Sequence, residues 1–221
     1  MSDMQEMRIV FPSPEKLLTP GVVVILSLAV AGYIGLVLAP DAVFGALALN
    51  PQGVVHGRIW QLVTYPFVNG ACSLICNGLV ILFIGSAIER EWRTASFLWL
   101  WLTVSVCCGI LWVLGNLLKG GSAVGFGANA CTYGLIATMG VLFRGRRYFV
   151  LFATLEAQHI AIGLIAIGII ISLPQPITLA WVAGALVAYL YVKARWSLGA
   201  RASMRPAPRR SGGKGQFVDI D

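Results

Sequence analysis

The sequence predicts an all-α membrane protein, a bundle of six transmembrane helices with both termini on the cytoplasmic face. Three observations predict it. Of the 221 residues, 58% are hydrophobic and only 11% charged, and the mean hydropathy is +0.82, more apolar surface than one soluble core of this length can bury. Apolar segments close to the ~20 residues that cross a ~30 Å hydrocarbon layer recur along the chain. The basic residues, finally, alternate between loops in a strongly one-sided way.

Reading apolar stretches between charge clusters and Gly/Pro breaks gives spans at 20–40, 71–88, 95–117, 123–143, 157–172 and 176–194. The first follows a mixed-charge stretch with Asp3, Glu6, Arg8, Glu15 and Lys16 and exceeds the length of a signal-peptide core, so it reads as a retained helix. The fifth is preceded by an apolar segment, 148–155, that reads as amphipathic and interface-lying. The helix proper then starts near Ala157, with Glu156 in or near water and His159 at the boundary. Domains follow: a cytoplasmic segment 1–19, a membrane domain 20–196, and a disordered tail 197–221 rich in Arg, Pro, Ser and Gly.

Six crossings put both termini on one side. That side holds Arg8, Lys16, Arg90, Arg93, Arg144, Arg146, Arg147, Lys193 and Arg195 with the tail cations, leaving only Arg58 and Lys119 of 16 basic residues opposite. Positive residues stay cytoplasmic, so both termini belong there. The net charge of +7 is then met by anionic headgroups and calls for no nucleic acid. The partners expected are the lipid bilayer and other transmembrane proteins. Cys72, Cys76, Cys107, Cys108 and Cys131 all lie in apolar segments with no ligand spacing to His, so they read as small hydrophobes; no metal or cofactor is expected.

Three stretches carry a family pattern. The first runs Gly57-Arg58-Ile59-Trp60-Gln61-Leu62-Val63-Thr64-Tyr65-Pro66-Phe67-Val68-Asn69-Gly70, then Asn77 and Gly85-Ser86-Ala87-Ile88-Glu89-Arg90. The second is Gly127-Ala128-Asn129-Ala130-Cys131-Thr132-Tyr133-Gly134-Leu135. The third is Leu179-Ala180-Trp181-Val182-Ala183-Gly184-Ala185-Leu186-Val187-Ala188-Tyr189. Together, over roughly 55–192, they resemble the rhomboid family of intramembrane serine proteases and their inactive relatives.

The resemblance implies a catalytic serine at the start of the fourth helix and a histidine base on the last. Asn129 stands at the serine position, or Gly127 if the alignment is anchored on Val124-Gly125, and Trp181 stands at the histidine. The family's oxyanion donors fall on Ser73 and Asn77; Asn69 stands where another histidine is common, and Gln61 replaces a loop arginine. Ala180, Gly184 and Ala188 on the last helix, with Ala130 and Gly134 on the fourth, recur every four positions, as close helix packing requires.

A carboxamide is no acyl-accepting nucleophile, and an indole has no basic lone pair. The chain therefore reads as a pseudoprotease, not an enzyme. Cys131, Thr132 and Ser122 bring other nucleophiles near, but His56 and His159 are the chain's only imidazoles and neither is expected beside them. The resemblance implies a membrane-embedded binding, chaperone-like or regulatory protein for transmembrane clients, with Asn69, Ser73, Asn77, Asn129 and Trp181 lining the old cavity or satisfying one another. An architectural subunit of a larger membrane complex, docked through the tail, is the alternative; family membership alone suggests a serine-type endopeptidase. A transporter is disfavoured by the lack of paired intramembrane charges and of an inverted repeat. A compact multi-pass form without an evident targeting peptide points to a bacterial inner (plasma) membrane.

Overall fold

The computed structural model describes residues 17–150, 153–172 and 179–203. Most of the described residues are helical. Helix α1 (Pro20–Leu38) opens with proline at its first position, where a missing N–H costs nothing. Four short pieces follow in the 40–67 region: α2 (Pro40–Leu47), α3 (Pro51–Val55), α4 (Gln61–Thr64) and a 3₁₀ turn at Tyr65–Phe67. The long helices α5 (Ala71–Trp92) and α6 (Thr94–Leu118) come next, then α7 (Asn129–Leu142), a hairpin of β1 (Arg147–Val150) and β2 (Ala153–Glu156), α8 (Ala157–Ser172) and α9 (Leu179–Ser203). Helices α1, α5 and α6 are each long and apolar enough to cross a membrane.

Large apolar side chains point outward. Val24, Leu28 and Ile34 of α1 and Ile162, Ile167 and Ile170 of α8 are exposed, while Val22, Ile25 and Ala29 of α1 and Ala161 of α8 face inward. An apolar exterior of this kind suits hydrocarbon as solvent. Helix α7 is the centre of the bundle, with Ala130, Cys131, Gly134, Leu135, Thr138 and Gly140 all buried. Close approach at glycines holds it: a Cβ on Gly184 of α9 would stand 2.1 Å from the Ala130 carbonyl oxygen, and one on Gly140 would stand 2.7 Å from the Ala161 methyl of α8.

The 40–67 region is tied down by side chains bonding to backbone. Buried Gln61 donates to the Gly45 carbonyl (3.3 Å) and accepts from the Asn50 amide (3.1 Å). Trp60 Nε1 donates to the Ala46 carbonyl (2.9 Å) and Thr64 to that of Leu47 (2.9 Å). Leu49 and Gly125 exchange two backbone hydrogen bonds, 2.8 and 2.9 Å, fastening this region to the segment before α7.

At the far end of α5 a single carboxylate gathers three segments. Glu89, 2% exposed, accepts from the Gly21 and Val22 amides of α1 (2.8 and 2.9 Å), from the Thr19 hydroxyl that precedes it, and from the Thr94 hydroxyl of α6 (2.7 Å). These orphan first-turn amides meet a negative charge, the partner that a helix N-terminus favours. Between Glu89 and Thr94, Arg93 adopts φ 70°, ψ 154°, a conformation almost confined to glycine.

Two expected boundaries need correction, and one segment gains a secondary structure. The fourth span was placed at 123–143, but α7 starts at Asn129: Gly125 is spent on the bridge to Leu49, and Gly127 has φ 97°, so the chain arrives extended. In and beside the segment 148–155 expected at the interface, the described residues form paired strands, Arg147 opposite Glu156 and Tyr148 opposite Leu155, as aromatic and β-branched residues favour; α8 begins at Ala157, as expected. The tail was placed from 197, yet α9 runs through Ser203, since that stretch has a single glycine and the first proline comes only at 206. The rest of the tail, 204–221, most of the first segment, 1–16, and the start of the sixth span lie outside the described residues.

Candidate functional site

Opposite the Glu89 end, the residues just before and within the first turns of α5 meet the start of α7. Asn69 sits in the extended stretch ahead of α5, and its Nδ2 donates to the Pro66 carbonyl at 2.7 Å. Ser73 and Asn77 lie one turn apart on one face of α5, and Asn69 Oδ1 reaches both, 3.4 Å from Ser73 Oγ and 3.3 Å from Asn77 Nδ2. Gly127, in the left-handed region where a side chain would be strained, donates its amide to the Tyr65 carbonyl (3.0 Å). That turn delivers the Ala128 amide to Asn69 Oδ1 at 3.1 Å and lets α7 begin with Asn129 facing Asn77.

The result is a neutral network. Asn77 Nδ2 lies 2.9 Å from Ser73 Oγ, 3.0 Å from Asn129 Oδ1 and 3.3 Å from Asn69 Oδ1. An amide nitrogen has two protons, so the two shorter contacts take them, and Ser73 turns its own hydroxyl to Asn69 Oδ1 at 3.4 Å. Thr132 Oγ1 lies 3.2 Å from Asn77 Oδ1 and 2.8 Å from the Asn129 carbonyl. Asn69, Asn77 and Thr132 are buried, whereas Ser73 and Asn129 are half-buried. Among the described residues, the Asn129 Nδ2 group has no hydrogen-bond partner.

The structure thus brings together Asn69, Ser73, Asn77 and Asn129, and adds Thr132, which sequence reading placed near Asn129 only as a spare hydroxyl. The signal was present: residues three apart on a helix share a face, so a threonine at 132 and an asparagine at 129 meet the same neighbour. Ala130, Gly134, Gly184 and Ala188 lie along the α7–α9 contact, where Gly184 abuts Ala130 and its carbonyl oxygen lies 3.3 Å from the place of a Gly134 Cβ. Trp181 stands on α9 one turn before Gly184. Its side chain and that of Ala180 are outside the described part.

No imidazole joins this group. His56 Nδ1 bonds the Gln52 carbonyl at 2.7 Å, and His159 Nδ1 lies 3.9 Å from Glu156 at the end of the hairpin. Cys131 is buried, its Sγ directed at the Trp101 carbonyl at 3.9 Å.

Residues 56–198 match the family model described as Rhomboid domain. The chain belongs to the rhomboid family. With its apolar helices, that makes it an integral membrane protein of a family best known for proteases. No curated protein matches the chain.

Proposed function

We propose that this rhomboid is catalytically inactive and binds the transmembrane helices of client proteins, in a chaperone-like or regulatory role. The observation that carries the reading is Asn129. At the serine position stands a carboxamide whose oxygen is committed to Asn77 (3.0 Å) and whose Nδ2 protons are unspent among the described residues. Such a group cannot be acylated, but it can donate to the carbonyl of a locally unwound client helix. Each hydroxyl nearby is engaged, Thr132 with Asn77 and Asn129 and Ser73 with Asn69 and Asn77. Serine proteolysis also needs a base, and Trp181 at the histidine position offers none.

The topology is part of the proposal. Helices α7, α8 and α9 join the three long helices to make six crossings, with both termini cytoplasmic and the bacterial inner membrane as the setting. The distribution of basic residues supports this orientation. Helix α7 has 14 residues, about 21 Å of rise, against a hydrocarbon core of ~30 Å. The irregular backbone at 119–128 would complete the crossing, as is tolerated at membrane depth only inside protein or beside a hydrated cavity.

The test is cleavage of a fluorescent, helix-destabilised transmembrane substrate by the reconstituted protein. The unmodified chain and Cys131→Ala should both be silent, and the Asn129→Ser/Trp181→His double variant should gain measurable turnover. Cleavage by the unmodified chain would instead make it a working endopeptidase. Covalent trapping separates many transient clients from one stoichiometric partner, the mark of an architectural subunit.

A further inference from the structure

Helices α8 and α9 both pack closely on α7 but only sparsely on each other. Small residues draw each of them onto α7: Gly140 receives the Ala161 methyl from α8, and Gly184 abuts the Ala130 carbonyl from α9. The wedge left between them is a groove of about 450 Å³, floored by Ala137 and Gly140 and walled by Ile162, Ile165 and Ala185.

One end of the groove is basic. Arg144, Lys193, Tyr189 and Trp196 line it there, with the Gln158 amide beside them. Neighbouring cations are already partnered: Arg146 pairs with Glu91 at 3.8 Å, and Arg195 stacks over Trp92 at 5.1 Å. Glu156 is taken up by Gln158 at 3.0 Å and His159 at 3.9 Å. Arg144 and Lys193 have no carboxylate within 4.0 Å among the described residues; Lys193 only rests over the Tyr189 ring at 5.2 Å.

An apolar trough ending in two uncompensated cations and two interfacial aromatics is complementary to an anionic amphiphile. We propose that this groove binds one anionic phospholipid, its phosphate between Arg144 and Lys193 and an acyl chain along Ile162, Ile165 and Ala185. An apolar client helix would cover the trough but leave Arg144 and Lys193 without a counter-charge. Free phosphate would leave the apolar walls uncovered. The site is distinct from the Asn129 network, and the inference holds whether or not that network takes a client. The proposed orientation decides only the leaflet, the cytoplasmic one.

The test uses the full-length protein in vesicles containing phosphatidylglycerol or phosphatidylcholine with a photoactivatable acyl chain. Phosphatidylglycerol should label peptides carrying the buried groove residue Ala185 well above the level given by phosphatidylcholine at the same total lipid. At about 1 kcal/mol for each cation near a headgroup, Arg144→Gln/Lys193→Gln should weaken retention of phosphatidylglycerol, read by native mass spectrometry, about thirtyfold. Arg58→Gln/Lys119→Gln, which removes two cations elsewhere, should leave it unchanged. The proposal is overturned by equal labelling with both lipids, by equal loss in both double variants, by displacement with inorganic phosphate, or by crosslinkers at Ile162 that capture a protein helix instead of lipid. Circular dichroism of each variant separates lost binding from lost folding.

Discussion

Helix α5 carries a hydrogen-bond cluster near each end, and the two differ in charge. Near its start, Asn69, Ser73 and Asn77 meet Asn129 and Thr132 through carboxamides, hydroxyls and backbone groups, with no charged group among them. Near its end, Glu89 receives four donors from α1, the residue before it and α6. Every donor at the Glu89 end is consumed in joining segments, so that cluster is structural. The neutral cluster leaves a carboxamide nitrogen unspent among the described residues and is only half-buried at Ser73 and Asn129. Binding requires such incompleteness, and stability requires its opposite.

Mutation can break that contrast. The largest effect should come from Glu89→Ala, which strands two backbone amides and two hydroxyls at ~1–3 kcal/mol for each buried group left unpaired. A loss of about 4 kcal/mol is expected in reversible unfolding in mixed micelles, and a loss below about 1 kcal/mol would make the Glu89 cluster no more structural than its counterpart. Gly184→Ala comes next. Its methyl would fall 2.1 Å from the Ala130 carbonyl oxygen, forcing α7 and α9 apart at a cost of about 3 kcal/mol; the same melts measure it, and the Asn129 network should loosen with it. Asn77→Leu removes the hub of the neutral cluster and should cost about 2 kcal/mol, half the Glu89 effect. If the order of Asn77 and Glu89 is reversed, the structural role and the proposed binding role are misassigned. The smallest change should be a gain: Arg93→Gly relieves the φ 70° strain beside Glu89, raising stability by about 1 kcal/mol by thermal melt.

Legibility in the sequence divided along physical lines. Long, mostly uncharged apolar runs gave away α1, α5 and α6, because hydropathy is a local property and a few polar residues facing the bundle interior leave the average high. The family was readable in the motifs around Trp60, Asn77, Glu89 and Gly134, within the 56–198 match. The start of α7 was not, because the glycines at 125 and 127 are spent on a bridge and a left-handed turn that depend on Leu49 and Tyr65, far away in the chain. The hairpin was missed because an apolar run of that length suits an interface-lying segment and a strand pair alike. Asn69, Ser73, Asn77 and Asn129 were named from the resemblance, but Thr132 as a bridge to Asn77 emerges only when α5 and α7 are placed side by side. The groove at Arg144 and Lys193 depends on how α8 and α9 splay, which no single segment encodes.

The Glu89 cluster also imposes an order on synthesis. The amides at the start of α1 find their acceptor 67 and 68 positions later in the chain. At ~5–20 residues per second, the ribosome reaches Glu89 roughly 3 to 14 s after α1 begins. Until then α1 must satisfy its first turn with water and lipid headgroups, so α1 is fixed in place only once α5 has been completed.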